Sequence, residues 1–295
     1  MNGQTRKQGT LLIIGGHEDK KGDRVILKEL ARRANGGALL VATVASHSKV
    51  DELWEIYSQQ FAELGVKDVV HLEVDSRERA NAPETVKLID RASAVFFTGG
   101  DQLKITSDLG GTALFKRLLS FYYDDGGTIA GTSAGAAVMP QTMLLRGRSG
   151  ESQRADDKLV MSPGLGFLQG VVIDQHFAER GRMGRLLAAV ALNPASLGIG
   201  IDEDTAILVE DGDEFSVLGD GAVYVIDGTE ITHTNAAQGN REGTLAVSNV
   251  RLHSLSKGYR FNLRDRRPVA PEQQAAGRLT LSCEGAFATT ASSKE

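Results

Sequence analysis

In the first half of the chain, short and almost wholly apolar runs alternate with longer stretches of helical patterning. Segments 10–14, 38–45, 68–72, 94–98 and 128–130 are rich in Val, Ile and Leu and lack the regular alternation of a half-solvated strand. Continuous apolarity over strand length predicts strands buried on both faces, as in a parallel sheet covered by helices. Between the second and third runs, Val50, Leu53, Tyr57, Phe61 and Leu64 recur at helical spacing, Trp54 widens the stripe, and Gly65 ends it. That stripe reads as the core face of a helix rather than a cofactor-binding face.

From about residue 197 the texture changes to short strands separated by polar turns. Segments 206–209, 215–218 and 222–226, joined by Asp211-Gly212-Asp213 and Gly219-Asp220-Gly221, predict antiparallel strands. After about Pro268 the chain is dominated by Ala, Gln, Ser and Thr, the composition of a poorly ordered extension. The expected organisation is one α/β domain over 1–267 and an extension over 268–295. Its architecture is a parallel sheet sandwiched by helices, with additional antiparallel strands toward the C-terminus.

Composition narrows the function classes. The 295 residues are 41% hydrophobic with a formal charge of -5, and Lys and Arg are dispersed, so nucleic acid is not an expected partner. A single cysteine, Cys283, excludes an internal disulfide and a cysteine-rich metal site, and fits a reducing cytoplasm. The polar, basic stretch 1–8 and the lack of any run near 18 apolar residues predict a cytoplasmic protein with no membrane segment.

The most specific motif is Gly131-Thr132-Ser133-Ala134-Gly135, set between a short strand pattern and an Ala-rich helix start. A serine on a sharp strand-to-helix turn is lifted clear of its neighbours, and flanking glycines are needed where a Cβ would strike the strand or helix. Ser133 is therefore the candidate nucleophile, and the N–H of Ala134, at the first turn of the helix, can face an oxyanion. The alternative is a tight connection without chemistry. Two further glycine loops follow apolar runs, Gly15-Gly16-His17-Glu18-Asp19 and Gly99-Gly100-Asp101-Gln102. Neither carries a dinucleotide fingerprint or a P-loop ending, so nucleotide binding is not expected.

A serine hydroxyl requires a base, normally an imidazole oriented by a carboxylate. Among six histidines, His176 follows the apolar run Val171-Val172-Ile173 and opens the polar stretch from Asp174 to Arg182, which puts it at a strand end. His17 beside Glu18 and Asp19 is a weak metal-ligand set, better suited to structural or substrate-side duty. His47, His71, His233 and His253 read as ordinary surface or outer-strand histidines. For the orienting acid, Glu203 in Asp202-Glu203-Asp204, which follows another strand, is the choice, with Glu151 in reserve and a solvated acidic turn as the alternative without chemistry. The order Ser, His, acid departs from that of the α/β-hydrolases.

The loop Gly99 to Gln102, the elbow Gly131 to Gly135 and the block Asp174 to Arg185 together resemble the cyanophycinases of peptidase family S51, which are related to aspartyl dipeptidase. The likeness runs to about Arg267. It implies a fold similar to class I glutamine amidotransferases and a triad of Ser133, His176 and Glu203, with the N–H groups of Gly100 and Ala134 as oxyanion donors. In that wider group the elbow commonly carries cysteine, whereas here the sole cysteine lies in the tail, so the chain matches the serine branch.

The resemblance also implies a substrate, multi-L-arginyl-poly-L-aspartate, cleaved to β-Asp-Arg dipeptides without metal or organic cofactor; a homodimer is compatible with it. Arg180, Arg182 and Arg185 suit the free carboxylate of each arginyl branch, while Asp174, Gln175 and Gln102 suit polar orientation. Read without the resemblance, the three arginines belong to the exposed face of a helix. Cleavage of short α-Asp peptides and non-catalytic binding are the competing functions.

Overall fold

Each buried run of the first half forms a strand in the computed structural model, which describes residues 8–146, 159–237 and 244–269. In chain order these are β1 (Thr10–Ile14), α1 (Val25–Arg33), β2 (Ala38–Ala42), α2 (Val50–Glu63), β3 (Val69–Leu72), α3 (Pro83–Lys87), β4 (Ala92–Phe97), α4 (Gln102–Leu109), α5 (Ala113–Tyr123) and β5 (Thr128–Thr132). The five strands are parallel and lie in the order β3-β2-β4-β5-β1. Their side chains alternate between two cores. Leu12, Ile14, Leu39, Val41 and Phe96 pack with Ile26, Leu30, Tyr57 and Phe61 of α1 and α2. Leu11, Ile13, Leu40, Val95 and Ile129 join Leu114 and Leu118 of α5 on the opposite face. Removing each such side chain from water stabilises the fold by about 1.5–3 kcal/mol.

The second half continues through α6 (Ala134–Ala137), β6 (Thr142–Arg146), β7 (Val160–Pro163), β8 (Val171–Gln175), α7 (Met183–Leu192), β9 (Leu197–Ile201), β10 (Thr205–Glu210), β11 (Glu214–Gly219) and β12 (Val223–Asp227). Short strands β13 (His233–Thr234), β14 (Val247–Ser248), β15 (Arg251–Leu255), β16 (Arg260–Asn262) and β17 (Arg267–Val269) follow. β10, β11, β16 and β17 extend the main sheet beyond β1 in antiparallel fashion. A second sheet, β15-β12-β9-β8, contains the parallel pair β8 and β9 and shares the core beneath β1 and β5 through Ile173, Ile199 and Val225.

The helix over Val50–Glu63 buries Tyr57 and Phe61 as its spacing predicts, and Gly65 just beyond it takes φ +85°. The three C-terminal segments are antiparallel strands as expected, but they divide between two sheets. β10 and β11 form a hairpin, but β12 leaves them and pairs with β9 and β15. The turn explains the departure. Gly219 takes φ +94°, Asp220 N–H bonds to Asp204 O (3.0 Å), and Ala222 N–H bonds to the Asp202 carboxylate (3.1 Å), which ties the chain to the loop after β9. The tail 270–295, with Cys283, and Glu151 lie outside the described residues. Among the described residues no helix is long and apolar enough to cross a membrane.

Candidate active site

Three loops converge on the carboxyl end of β1, where successive carbonyls each hold one of them. Ile14 O accepts from Ser133 N–H (3.1 Å), Gly15 O from His176 N–H (2.8 Å) and Gly16 O from Asp204 N–H (2.9 Å). The glycine pair after β1 permits this approach. A Cβ on Gly15 would stand 2.0 Å from Asp202 O, and one on Gly16 would stand 2.2 Å from His176 Cε1. This is a packing role that the sequence alone, with its phosphate-type loop, does not disclose.

Ser133 joins β5 to α6 with φ +53° and ψ -109°, an unusual conformation for a residue with a side chain. Its Oγ lies 2.9 Å from His176 Nε2, and His176 Nδ1 lies 2.6 Å from Glu203 Oε1. His176 is buried and also holds a positive φ, +47°. Within the acidic triplet only Glu203 reaches the imidazole. Asp202 accepts from Ala178 N–H (2.9 Å) and Ala222 N–H, and Asp204 from Asp19 N–H (2.7 Å), so the flanking aspartates pin the loop that presents Glu203.

Electrostatics favour a neutral imidazole beside a charged carboxylate. Burial pulls the His176 pKa below its ordinary value; the Glu203 hydrogen bond opposes this and the charge of Arg180 adds to it. Burial raises the Glu203 carboxyl, but hydrogen bonds from His17 and His176 outweigh it and leave the value lowered. His17, read from the sequence as structural or substrate-side, bonds Glu203 Oε2 through Nδ1 at 2.7 Å. Its ring meets the His176 ring edge-on, with centroids 5.1 Å apart.

The Ser133 N–H is engaged by Ile14 O, and Ala134 opens α6, where a first-turn N–H has no partner within the helix. α6 has only four residues, and its dipole is correspondingly small. The Gly99-Gly100 loop runs alongside: a Cβ on Gly99 would lie 3.4 Å from Ser133 Cβ. Gly100 is exposed at φ +147°, and a Cβ there would strike Ala45 O at 2.3 Å. Gln102 donates from Nε2 to Leu144 O (2.8 Å), anchoring α4 to β6. Beside this loop a depression of about 730 Å³ is lined by His47, Asp75, Asp101, Lys104 and Asp108.

The structure separates the three arginines of the block. Arg180 is exposed, but Arg182 and Arg185 are only 7% and 9% exposed, which rules out a solvated helix face for these two. Both turn onto Asp174, itself 2% exposed. Arg185 makes a two-pronged contact, Nε to Oδ2 at 2.6 Å and Nη2 to Oδ1. Arg182 Nη1 donates to Asp174 Oδ1 (3.1 Å), to Gln175 Oε1 (2.8 Å) and to Gln175 O. Burial pulls the Arg182 pKa down to about 10, so it stays cationic at neutral pH. A substrate carboxylate would have to compete with Asp174 for these guanidinium groups. The cluster sits at the end of β8, immediately before His176, and locks that end to α7.

A second buried network braces the strand end before Ser133. Glu18, 3% exposed, accepts from Thr132 Oγ1 (2.6 Å), Tyr57 Oη (2.5 Å) and Lys20 Nζ (2.8 Å). Burial raises its pKa, but the charge and hydrogen bond of Lys20, with the two hydroxyls, outweigh this and leave it lowered. The sequence shows Glu18 only as a neighbour of His17. No spacing rule links it to Thr132.

The model of peptidase family S51 matches residues 11–217. The chain belongs to this family. The S51 member described here is 38% identical over 265 residues to the cyanophycinase of Geminocystis herdmanii, covering 89% of this chain and 97% of that one. It is 40% identical over 257 residues to the cyanophycinase of a Nostoc species, covering 87% and 86%. The crystal structure of a peptidase from an acI-B1 Actinobacterium superposes with a TM-score of 0.65 at 23% identity, over 90% of this chain and 98% of that one, and shares the fold. The protein is thus a peptidase.

In this S51 peptidase, Gly16→Ala is expected to push the His176 ring away from Ser133, because Gly16 lies at φ +109° with the imidazole where a Cβ would go. A displacement of about 1 Å costs roughly 10²-fold in rate. Steady-state kinetics beside a thermal melt check it; wild-type turnover in the folded variant would contradict the packing argument.

Proposed function

We propose that this chain is a serine-type peptidase that hydrolyses cyanophycin, multi-L-arginyl-poly-L-aspartate, to β-Asp-Arg dipeptides. One observation carries the reading: the unbroken sequence of contacts from Ser133 Oγ to His176 to Glu203, in a chain so similar to cyanophycinases. Ser133 Oγ attacks the backbone carbonyl carbon of an aspartyl residue while its proton passes to His176 Nε2. Glu203 holds the proton on Nδ1 and stabilises the imidazolium. The N–H groups of Ala134 and Gly100 take the oxyanion. His176 returns the proton to the leaving amine, the C–N bond breaks, and water deprotonated by the same ring releases the acyl group.

For recognition, the exposed Arg180 is the guanidinium offered to a branch carboxylate, and the acidic depression beside Gly100 suits the substrate guanidinium. Arg182, Arg185, Asp174 and Gln175 contribute by holding the end of β8, and Gln102 by fixing α4. The reading includes a cytoplasmic location, supported by the single cysteine, and a homodimer, which sedimentation of the purified protein tests. Purified enzyme given insoluble cyanophycin is expected to release β-Asp-Arg, identified by mass. Preferential cleavage of α-Asp peptides would establish the dipeptidase function instead.

The same electrostatics fix a pH dependence. His176 must be neutral to accept a proton, and its lowered pKa keeps it so below the ordinary imidazole value. The acid limb of kcat/KM is therefore expected below pH 6.5, the ordinary value. Arg180→Ala removes a neighbouring positive charge that opposes protonation, so the limb should move to higher pH. A pH–rate profile in which it moves down, or stays, contradicts this account.

A further inference from the structure

His17, Glu203 and His176 form a constellation that hydrolysis does not require in full. One ligand atom from each lies within 4.8 Å of the others. Both imidazoles point Nδ1 at the same carboxylate, one at each oxygen, at 2.7 and 2.6 Å. Two neutral nitrogens and a carboxylate are the donor set of open zinc sites, whose bonds of about 2.0–2.1 Å put tetrahedral ligand atoms about 3.3 Å apart. The two nitrogen–oxygen spacings are shorter than that, so the ligands would move apart by about 0.6 Å to admit an ion. The side chains of His17 and Glu203 are 72% and 25% exposed, so an ion reaches them from solvent, while His176, at 4%, forms the floor. His17 also holds a left-handed backbone, φ +46°, uncommon for a residue with a side chain, and in that conformation its imidazole faces Glu203.

We infer that this triplet is a site for Zn²⁺ or a similar divalent transition ion, and that occupancy reversibly switches off the hydrolase. The inference rests on the proposed roles of Ser133 and His176. When Nδ1 of His176 binds the ion, the ring carries its proton on Nε2, facing Ser133. That nitrogen then has no lone pair to receive the serine proton, and Glu203 no longer orients the base. His17 supplies the outer ligand. Mg²⁺, which prefers oxygen donors and keeps its waters, does not fit.

The experiment separates binding from catalysis. In Ser133→Ala protein, titration calorimetry is expected to show one Zn²⁺ per chain at this site, bound about tenfold or more weakly when His17→Ala is added, since even partners of metal ligands contribute that much. His233→Ala, at an exposed histidine elsewhere, leaves it unchanged. In protein with Ser133 intact, Zn²⁺ inhibits cyanophycin release over the range in which it binds, chelation restores the rate, and Mg²⁺ has no effect. Each rate is compared with the same variant without metal. Absence of Zn²⁺ binding, binding or inhibition unaffected by His17→Ala, or binding without inhibition overturns the inference. Substantial hydrolysis by metal-free Ser133→Ala would instead strike the serine mechanism.

Discussion

Ser133→Ala is expected to lower kcat/KM on cyanophycin by about 10⁴- to 10⁶-fold, equivalent to roughly 5–8 kcal/mol of transition-state stabilisation. The substitution removes only Oγ. The Ser133 N–H bond to Ile14 O, the contact of Gly99 with the elbow and the His176–Glu203 pair all remain, so the thermal midpoint should stay within a few degrees of wild type. Residual hydrolysis measures what bound geometry and the proposed donors of Ala134 and Gly100 provide without a nucleophile. A fluorophosphonate that labels wild-type protein should leave the variant unlabelled. Turnover within tenfold of wild type would remove Ser133 from the mechanism, whatever the distance to His176.

The sheet and the elbow were legible because their signals are local. β1 to β5 are apolar runs of strand length, and Tyr57 and Phe61 sit where helical spacing puts the core face. Ser133, His176 and Glu203 each follow a strand, β5 of the main sheet and β8 and β9 of the second, and ligand-binding loops lie at the carboxyl ends of parallel strands. What stayed hidden depends on contacts between distant segments. Arg182 and Arg185 read from spacing alone as solvated charges, because nothing marks Asp174, eleven positions before Arg185, as a buried partner for both. The transfer of β12 to the second sheet goes with the left-handed Gly219 and the bonds that tie Asp220 and Ala222 to the Asp202–Asp204 loop. Likewise the carbonyls of Ile14, Gly15 and Gly16 hold three catalytic-side loops, and a sequence records carbonyls identically at every position.

Asp174→Asn should be the most destabilising of the site-region changes. In the wild type one carboxylate, 2% exposed, offsets two guanidinium groups that are themselves nearly buried. The amide can accept from one of them but supplies no charge, leaving buried cations uncompensated, at a cost of about 3–5 kcal/mol. For a chain of this size that lowers the melting midpoint by on the order of 10 °C. The loss propagates to chemistry because Asp174 and Gln175 end β8, and His176 follows directly. kcat should therefore fall together with stability even where the variant is kept folded at low temperature. The opposite pattern has a clear meaning. An unchanged melting midpoint with a raised KM and normal kcat would show that Arg182 and Arg185 are held for the substrate carboxylate, with Asp174 dispensable to the fold. Calorimetric melts paired with kcat and KM on cyanophycin distinguish the two, because a buried counter-ion acts on the empty enzyme and a recognition contact acts only when substrate arrives.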